Sequence, residues 1–229
     1  MLSLYADDFI ITAASKEVLE KKVKPAVERF LRERGLELSE EKTRIAHIDD
    51  GFDFLGFNVR KYAGKLLIKP AKQAVKAFLG DIRGCIKSDN AAKTEELFGQ
   101  LNPKLRGWVN YYRHVVAKKT FAHVDYQIFL ALLAWINRRH PNKSARWKRS
   151  RYFRSHGRRQ WVFSAKTHDK LGNIQSLDLL PVARVDIIRH VKVRADATPY
   201  DPAFRDYFER RQRLRTVNPF LWVGAFAEV

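Results

Sequence analysis

Asp7 and Asp8 stand side by side between apolar neighbours, in the stretch YADDFIITA from Tyr5 to Ala13. Adjacent side chains on a strand point to opposite faces, so two neighbouring acids normally cannot share a ligand. A tight hairpin bend relaxes that restriction and lets one or both carboxylates face a common cleft. There they can hold Mg²⁺, a hard cation that prefers oxygen ligands and keeps several waters. Two such ions about 4 Å apart activate a hydroxyl nucleophile and stabilise a leaving oxyanion. The dipeptide alone favours a plainer reading, an exposed turn with two solvated acids.

A second chemistry is written in charge. The chain has 44 Lys and Arg against 25 Asp and Glu, a net charge of +19. A globular chain this basic usually meets a polyanion. The excess is local. Between Glu96 and Asp169 the only acid is Asp125, against sixteen Lys and Arg. The segment 138–159 carries Arg138, Arg139, Lys143, Arg146, Lys148, Arg149, Arg151, Arg154, Arg158 and Arg159, with Trp147, Tyr152 and Phe153 interleaved. Guanidinium forks fit phosphates, and aromatic rings stack on unpaired bases. The competing reading is a solvated face with core aromatics, and the lack of any acid in the segment favours RNA binding. Arg106, Arg113, Lys118 and Lys119 are further phosphate contacts expected from the region just upstream. Trp108, Tyr111 and Tyr112 share a helix with Val109, Val115 and Val116 and read as core.

Other classes are excluded or unsupported. One cysteine, Cys85, rules out an intrachain disulfide framework and any zinc site built on several thiolates. It reads as a small buried apolar residue. The seven histidines show no metal-ligand spacing. The longest apolar run, Ile128 to Ile136, falls well short of the roughly 20 residues that span a bilayer, so no membrane partner is expected. With no signal peptide visible, a reducing, cytoplasmic setting is expected.

The elements that must position these groups follow from periodicity. Residues 2–13 favour a hairpin with the aspartates at its tip. Ser15 caps a helix whose apolar positions run from Val18 to Leu31, with Gly35 at C′ and Pro25 kinking or splitting it. Phe52 to Pro70 reads as short strands turning at Ala63-Gly64. Strand signals then fade. Helices are expected over 71–87, 101–116 and 121–140, the last nearly apolar all round in its middle and ended by Pro141. A strand or extended piece is expected near Val182 to Val193, then a short helix near Pro202 to Arg215.

Several segments, in order, resemble one family. Tyr-Ala-Asp-Asp followed by FIITA resembles the palm signature of reverse transcriptases, specifically those encoded by group II introns. GLELSEEKT (Gly35–Thr43) is similar to the family's next motif, and FDFLGF (Phe52–Phe57) to its primer-grip region. LLIKPAKQAVKAFL (Leu66–Leu79) looks like the entry into the thumb. LNPKLRGWVNYYRHVVAKKTF (Leu101–Phe121) and RRHPNKSARWKRSRYF (Arg138–Phe153) look like the maturase region called domain X. The resemblance implies an α+β fold: a partial palm of β-hairpin, helix and short strands over 1–69, a mainly α-helical thumb and maturase domain over 70–160, and a basic C-terminal region over 161–229 with a possible DNA-binding segment.

The resemblance also implies roles. Asp7 and Asp8 match the metal-binding pair, with two Mg²⁺ ions in the complete enzyme. Tyr5 and Ala6 would lie near template, primer and nucleotide. Lys42 belongs to a motif that positions the active site. Leu55, Gly56 and Phe57 would support the primer end, where a backbone close to nucleic acid explains a glycine; a plain core strand is the alternative. The implied partner is intron RNA, with a DNA target as a further expectation.

The family's fingers and third metal-binding aspartate would lie upstream of Tyr5, and its Cys- and His-bearing endonuclease would need more cysteines. The chain is therefore expected to be a C-terminal part of such a protein, from a truncated or frame-disrupted reading frame. Its expected activity is RNA binding in support of splicing. RNA-directed DNA synthesis belongs to the full-length parent. The rival readings are a catalytically inactive RNA-binding remnant and, less favoured, a free-standing DNA-binding protein.

Overall fold

Ser15 starts the first helix as its position predicts: its hydroxyl accepts from the backbone N–H of Val18 at 3.4 Å. The computed structural model describes residues 2–5, 8–88, 93–156, 159–168, 172–189, 193–194 and 196–216. They form two compact units, Met1–Phe52 and Asp53–Val229.

In the first unit, strands β1 (Leu2–Tyr5) and β2 (Asp8–Ile11) pair antiparallel, with Leu2 opposite Ile11 and Tyr5 opposite Asp8. Helix α1 (Lys16–Val18) runs through a π-helical turn, Leu19–Val23, into α2 (Lys24–Arg32). Pro25 is the cause. It has no N–H to give to the preceding turn, and the split falls just before it, where the Lys24 N–H reaches five residues back to the Leu19 carbonyl. Gly35, at φ +70°, closes α2. The N–H of Leu36 bonds the carbonyl of Leu31 at 3.0 Å and that of Gly35 bonds Arg32 at 3.1 Å, the double bond pattern that glycine's left-handed conformation permits.

The second unit opens with a three-stranded antiparallel sheet, β3 (Phe52–Phe54), β4 (Phe57–Tyr62) and β5 (Lys65–Pro70), in that order. Both connections are two residues long. Leu55-Gly56 and Ala63-Gly64 all have positive φ, as type I′ hairpin turns require. Helices α3 (Lys72–Ser88), α4 (Thr94–Tyr112) and α5 (Lys118–Arg139) follow and carry most of the core.

Helix α4 starts seven residues before the expected Leu101. Leu97, Phe98, Leu101 and Leu105 form one fully buried stripe across Pro103, so burial overrides the break. The carbonyl that Pro103 leaves unbonded belongs to Gly99, which is exposed and free to meet water. The apolar middle of helix α5 is not buried all round. The helix buries one stripe, from Phe121 through Ile128 to Ile136, and leaves Tyr126 and Leu130 exposed. It ends at Arg139, before Pro141.

Helix α6 (Ala145–Tyr152) leads into a second antiparallel sheet, β6 (Phe153–His156), β7 (Arg159–His168) and β8 (Ile174–Asp178). This sheet has no counterpart in the sequence reading. Phe163 and Ala165 on β7 face the same core as the helices. Conversely, no strand forms over Val182 to Val193 among the described residues. A 3-10 turn, Val182–Arg184, follows Pro181, and the Val182 side chain is fully buried. The segment then straps the core: Ile188 N–H bonds the Arg113 carbonyl at 2.8 Å, and Val185 and Ile187 pack inward. The last element is α7 (Arg205–Thr216), as expected.

Candidate nucleic-acid interface

The end of α5, the following turn and α6 set out the basic residues. Ser144 caps α6 through the Trp147 N–H at 3.3 Å. The helix is held from its inner side by Tyr152, 4% exposed, whose ring packs edge-on against Trp135 at 5.8 Å. His140 fills the corner between α5 and α6: its Nε2 lies 2.7 Å from Tyr152 Oη and its ring meets Trp147 edge-on at 4.8 Å. These contacts turn Arg146, Arg149, Ser150 and Arg151 outward, all exposed. Arg146, Arg149 and Ser150 share one face, at i, i+3 and i+4.

Several of the cations are positioned by neutral groups. The Lys148 ammonium donates to Asn137 Oδ1 at 2.9 Å. Arg149 lies 4.6 Å above the Trp161 ring, Arg139 5.1 Å from Trp135 and Lys143 5.5 Å from Trp147. Among the described residues, no carboxylate lies within ion-pair distance of Arg138, Lys143, Arg146, Lys148, Arg149 or Arg151. The potential of this surface is therefore not neutralised from within. His140 registers it. Burial first, and then Arg139, Lys148, Arg151 and Lys143, hold its imidazole below the ordinary histidine range.

Other expected contact residues are placed differently. Arg154 forms a two-pronged pair with Asp178 at 2.8 and 2.6 Å, bracing β6 against β8. Lys118 donates to the Val185 carbonyl at 3.1 Å, and Arg113, half-buried, to Asn110 Oδ1 at 3.3 Å. Arg106 and Lys119 are exposed on α4 and α5. Arg158 lies outside the described residues, and of Arg159 only the backbone is described.

The aromatics also divide. Tyr152 and Phe153 turn into the core, and Trp147 is half-buried. The outward ring is Trp161 on β7, 46% exposed. Sequence reasoning passed over it; it shares a strand face with the inward Phe163 and Ala165 and keeps its exposure at the rim of the core. Cys85 is half-buried rather than buried, with the Lys104 ammonium 3.1 Å from its Sγ.

The chain's own sequence decides the family. The family model described as Group II intron, maturase-specific domain matches residues 75–153, and that described as Reverse transcriptase (RNA-dependent DNA polymerase) matches residues 1–59. The chain belongs to the group II intron reverse transcriptase/maturase family. Among curated proteins none matches it. The basic surface just described thus lies largely in the maturase-specific segment of this family member, and the β1–β2 hairpin in its reverse-transcriptase segment.

Within that second segment, Asp8 opens β2 and is exposed, as is Tyr5 opposite it. Ala6 and Asp7 lie outside the described residues. Lys42 is exposed in a turn closed by Thr43, whose N–H and hydroxyl both bond the Ser39 carbonyl, at 2.9 and 2.7 Å. The reverse-transcriptase family uses Mg²⁺. Among the described residues, no three acids, histidines or cysteines converge on a point. Of the expected pair, Asp8 alone is described, an exposed carboxylate of the kind that Mg²⁺ takes as a ligand.

In the second unit, Leu55, Gly56 and Phe57 come together with the end of α4. Tyr111 Oη donates to the Leu55 carbonyl at 2.7 Å and Tyr112 Oη to that of Gly56 at 3.1 Å. Phe57 stacks on Tyr111 at 4.9 Å and meets Tyr112 edge-on at 5.1 Å. Among the described residues no helix is long and apolar enough to cross a membrane.

Proposed function

We propose that this chain is an intron-RNA-binding maturase module whose contact surface is the end of α5 and helix α6. The observation that carries the proposal is that Arg138, Lys143, Arg146, Lys148, Arg149 and Arg151 have no carboxylate within ion-pair distance among the described residues, on a surface whose inner side is anchored in the core. Each phosphate neutralised by such a cation releases condensed counterions, which drives binding of any RNA strand. The maturase-specific match over 75–153 supports intron RNA as the partner and splicing as the process served.

Replacing Arg146, Arg149 and Arg151 together by Ala is expected to flatten the dependence of log affinity on log salt by about 2, given about 0.7 per phosphate contact for a single strand. Filter binding of an intron-derived RNA between low and high salt reads it. An unchanged slope places the contact elsewhere.

His140 supplies an independent reading. Its folded-state value lies below the unfolded value of about 6.5. The neutral imidazole is therefore the form the fold favours. Its contribution to stability is present above pH 6.5 and fades as pH falls through the folded value. Phosphates on Arg139, Lys143, Lys148 and Arg151 would cancel their repulsion. The His140 titration followed by NMR is expected to move upward when the protein is saturated with RNA. No movement would mean that the RNA leaves these four cations bare.

A further inference from the structure

Two cavities adjoin on this surface and share Arg149 and Phe153. The larger, about 430 Å³, is walled by Phe129, Leu133, Phe153 and Trp161, with Lys148 and Arg149 among its lining residues. The smaller, about 290 Å³, is lined by Arg146, Arg149 and Arg154 together with Ser150 and Ser155. One is aromatic and apolar, the other basic and hydroxylated. We propose that the pair is a nucleotide subsite: an unpaired RNA base enters the apolar cavity while its phosphate sits against Arg146, Arg149 and Ser150. The inference rests on the RNA-binding reading above and adds what that reading lacks, a place where a base, and not only the backbone, is recognised.

The chemistry of the walls favours this occupant. The rim is cationic and no acid lines either cavity, which suits an anionic ligand and disfavours an acidic or neutral peptide. Arg149 stands at the shared wall with its guanidinium 4.6 Å over Trp161. A guanidinium there can meet a phosphate with its fork and a base with its face. The aromatic wall is packed from behind. Phe153 packs on Phe163 at 4.1 Å and on Trp161 at 5.0 Å, and Phe129 backs both phenylalanines at about 6 Å. Trp161 is thereby held at the mouth, half-exposed, without collapsing into the core. Proteins that bind single strands use this combination, a basic groove beside rings on which unpaired bases stack.

The test uses the full chain and two labelled probes of equal charge: a twelve-nucleotide oligoadenylate and an abasic ribose-phosphate oligomer of about the same length. Stacking one base is expected to make the oligoadenylate bind about tenfold tighter in fluorescence anisotropy. Trp161→Ala removes that preference, so that the two probes bind alike. Ala145→Trp, which fills the larger cavity from the first turn of α6 with Trp161 still in place, does the same and guards against a folding defect. Arg146→Gln with Arg151→Gln lowers the salt slope for both probes. Equal binding of the two probes by the wild-type chain, or a base preference that survives both pocket variants, overturns the subsite. Failure of both probes to bind overturns the RNA-binding reading itself.

Discussion

Trp135→Ala is expected to cost about 4 kcal/mol of stability, the range for removing a fully buried large aromatic side chain. The ring is 1% exposed on α5. It contacts Tyr152 at 5.8 Å, and Arg139 lies 5.1 Å from its centre. A cavity there therefore weakens two things together: the helix core, and the anchor that turns α6 and its arginines outward. Chemical unfolding in urea should show a midpoint lower by roughly 2 M, taking a slope of about 2 kcal/mol per M. Trp135→Phe should keep most of the stability, because it keeps a ring against Tyr152. The alanine variant should also lose RNA affinity under conditions where it is still folded, while Phe121→Ala, at the far end of α5, should lower stability without that second loss. A cost below about 1 kcal/mol for Trp135→Ala would show that this end of α5 lies outside the cooperative core.

How far the sequence disclosed this arrangement depended on the kind of signal. Turns and caps are local, and they were legible: Ser15, Gly35, Ala63-Gly64 and Pro141 all act where their chemistry places them. The start of α4 was read too late: Leu97 and Phe98 extend the buried stripe of Leu101 and Leu105 one further turn and more toward the N-terminus, with Pro103 inside the helix. The sheet Phe153–Asp178 was hidden by composition. Arg, Lys and His stand so densely in the sequence of β6 and β7 that the buried Val162, Phe163 and Ala165 read as part of a basic tail. The loss of strand signal at Pro70 was visible, but not that β4 and β5 would be tied to the helices by Val116 N–H on the Ile68 carbonyl. The basic segment was legible as charge and not as geometry. Only the fold separates Arg154, paired with Asp178, from Arg146, Arg149 and Arg151. It also exchanges the inward Tyr152 for the outward Trp161.

Gly56 joins these threads, because two independent physical demands meet on one atom. Its φ is +76°, and a Cβ there would stand 2.7 Å from Tyr112 Oη. Gly56→Ala should therefore cost about 3 kcal/mol. Roughly 1–2 kcal/mol is left-handed backbone strain. About 1 kcal/mol more comes from displacing the phenol, which breaks its 3.1 Å bond to the Gly56 carbonyl. Tyr112→Phe alone should cost about 1 kcal/mol, since that carbonyl keeps the Ala71 N–H at 2.8 Å and is not left unsatisfied. The two changes should not add. Without the hydroxyl, the nearest atom of that ring lies 3.9 Å from the new Cβ, an ordinary contact. The double variant should then cost about 2 kcal/mol, short of the sum of the singles by more than the ~0.5 kcal/mol within which independent sites add. Urea unfolding of the four proteins decides it, and strict additivity would mean that the hydroxyl does not dictate the glycine. The glycine that the sequence reading attributed to a close approach of nucleic acid has a sufficient reason inside the protein. Tyr111 and Tyr112 hold the turn between β3 and β4 by its carbonyls, so the end of α4 sets where Leu55, Gly56 and Phe57 stand.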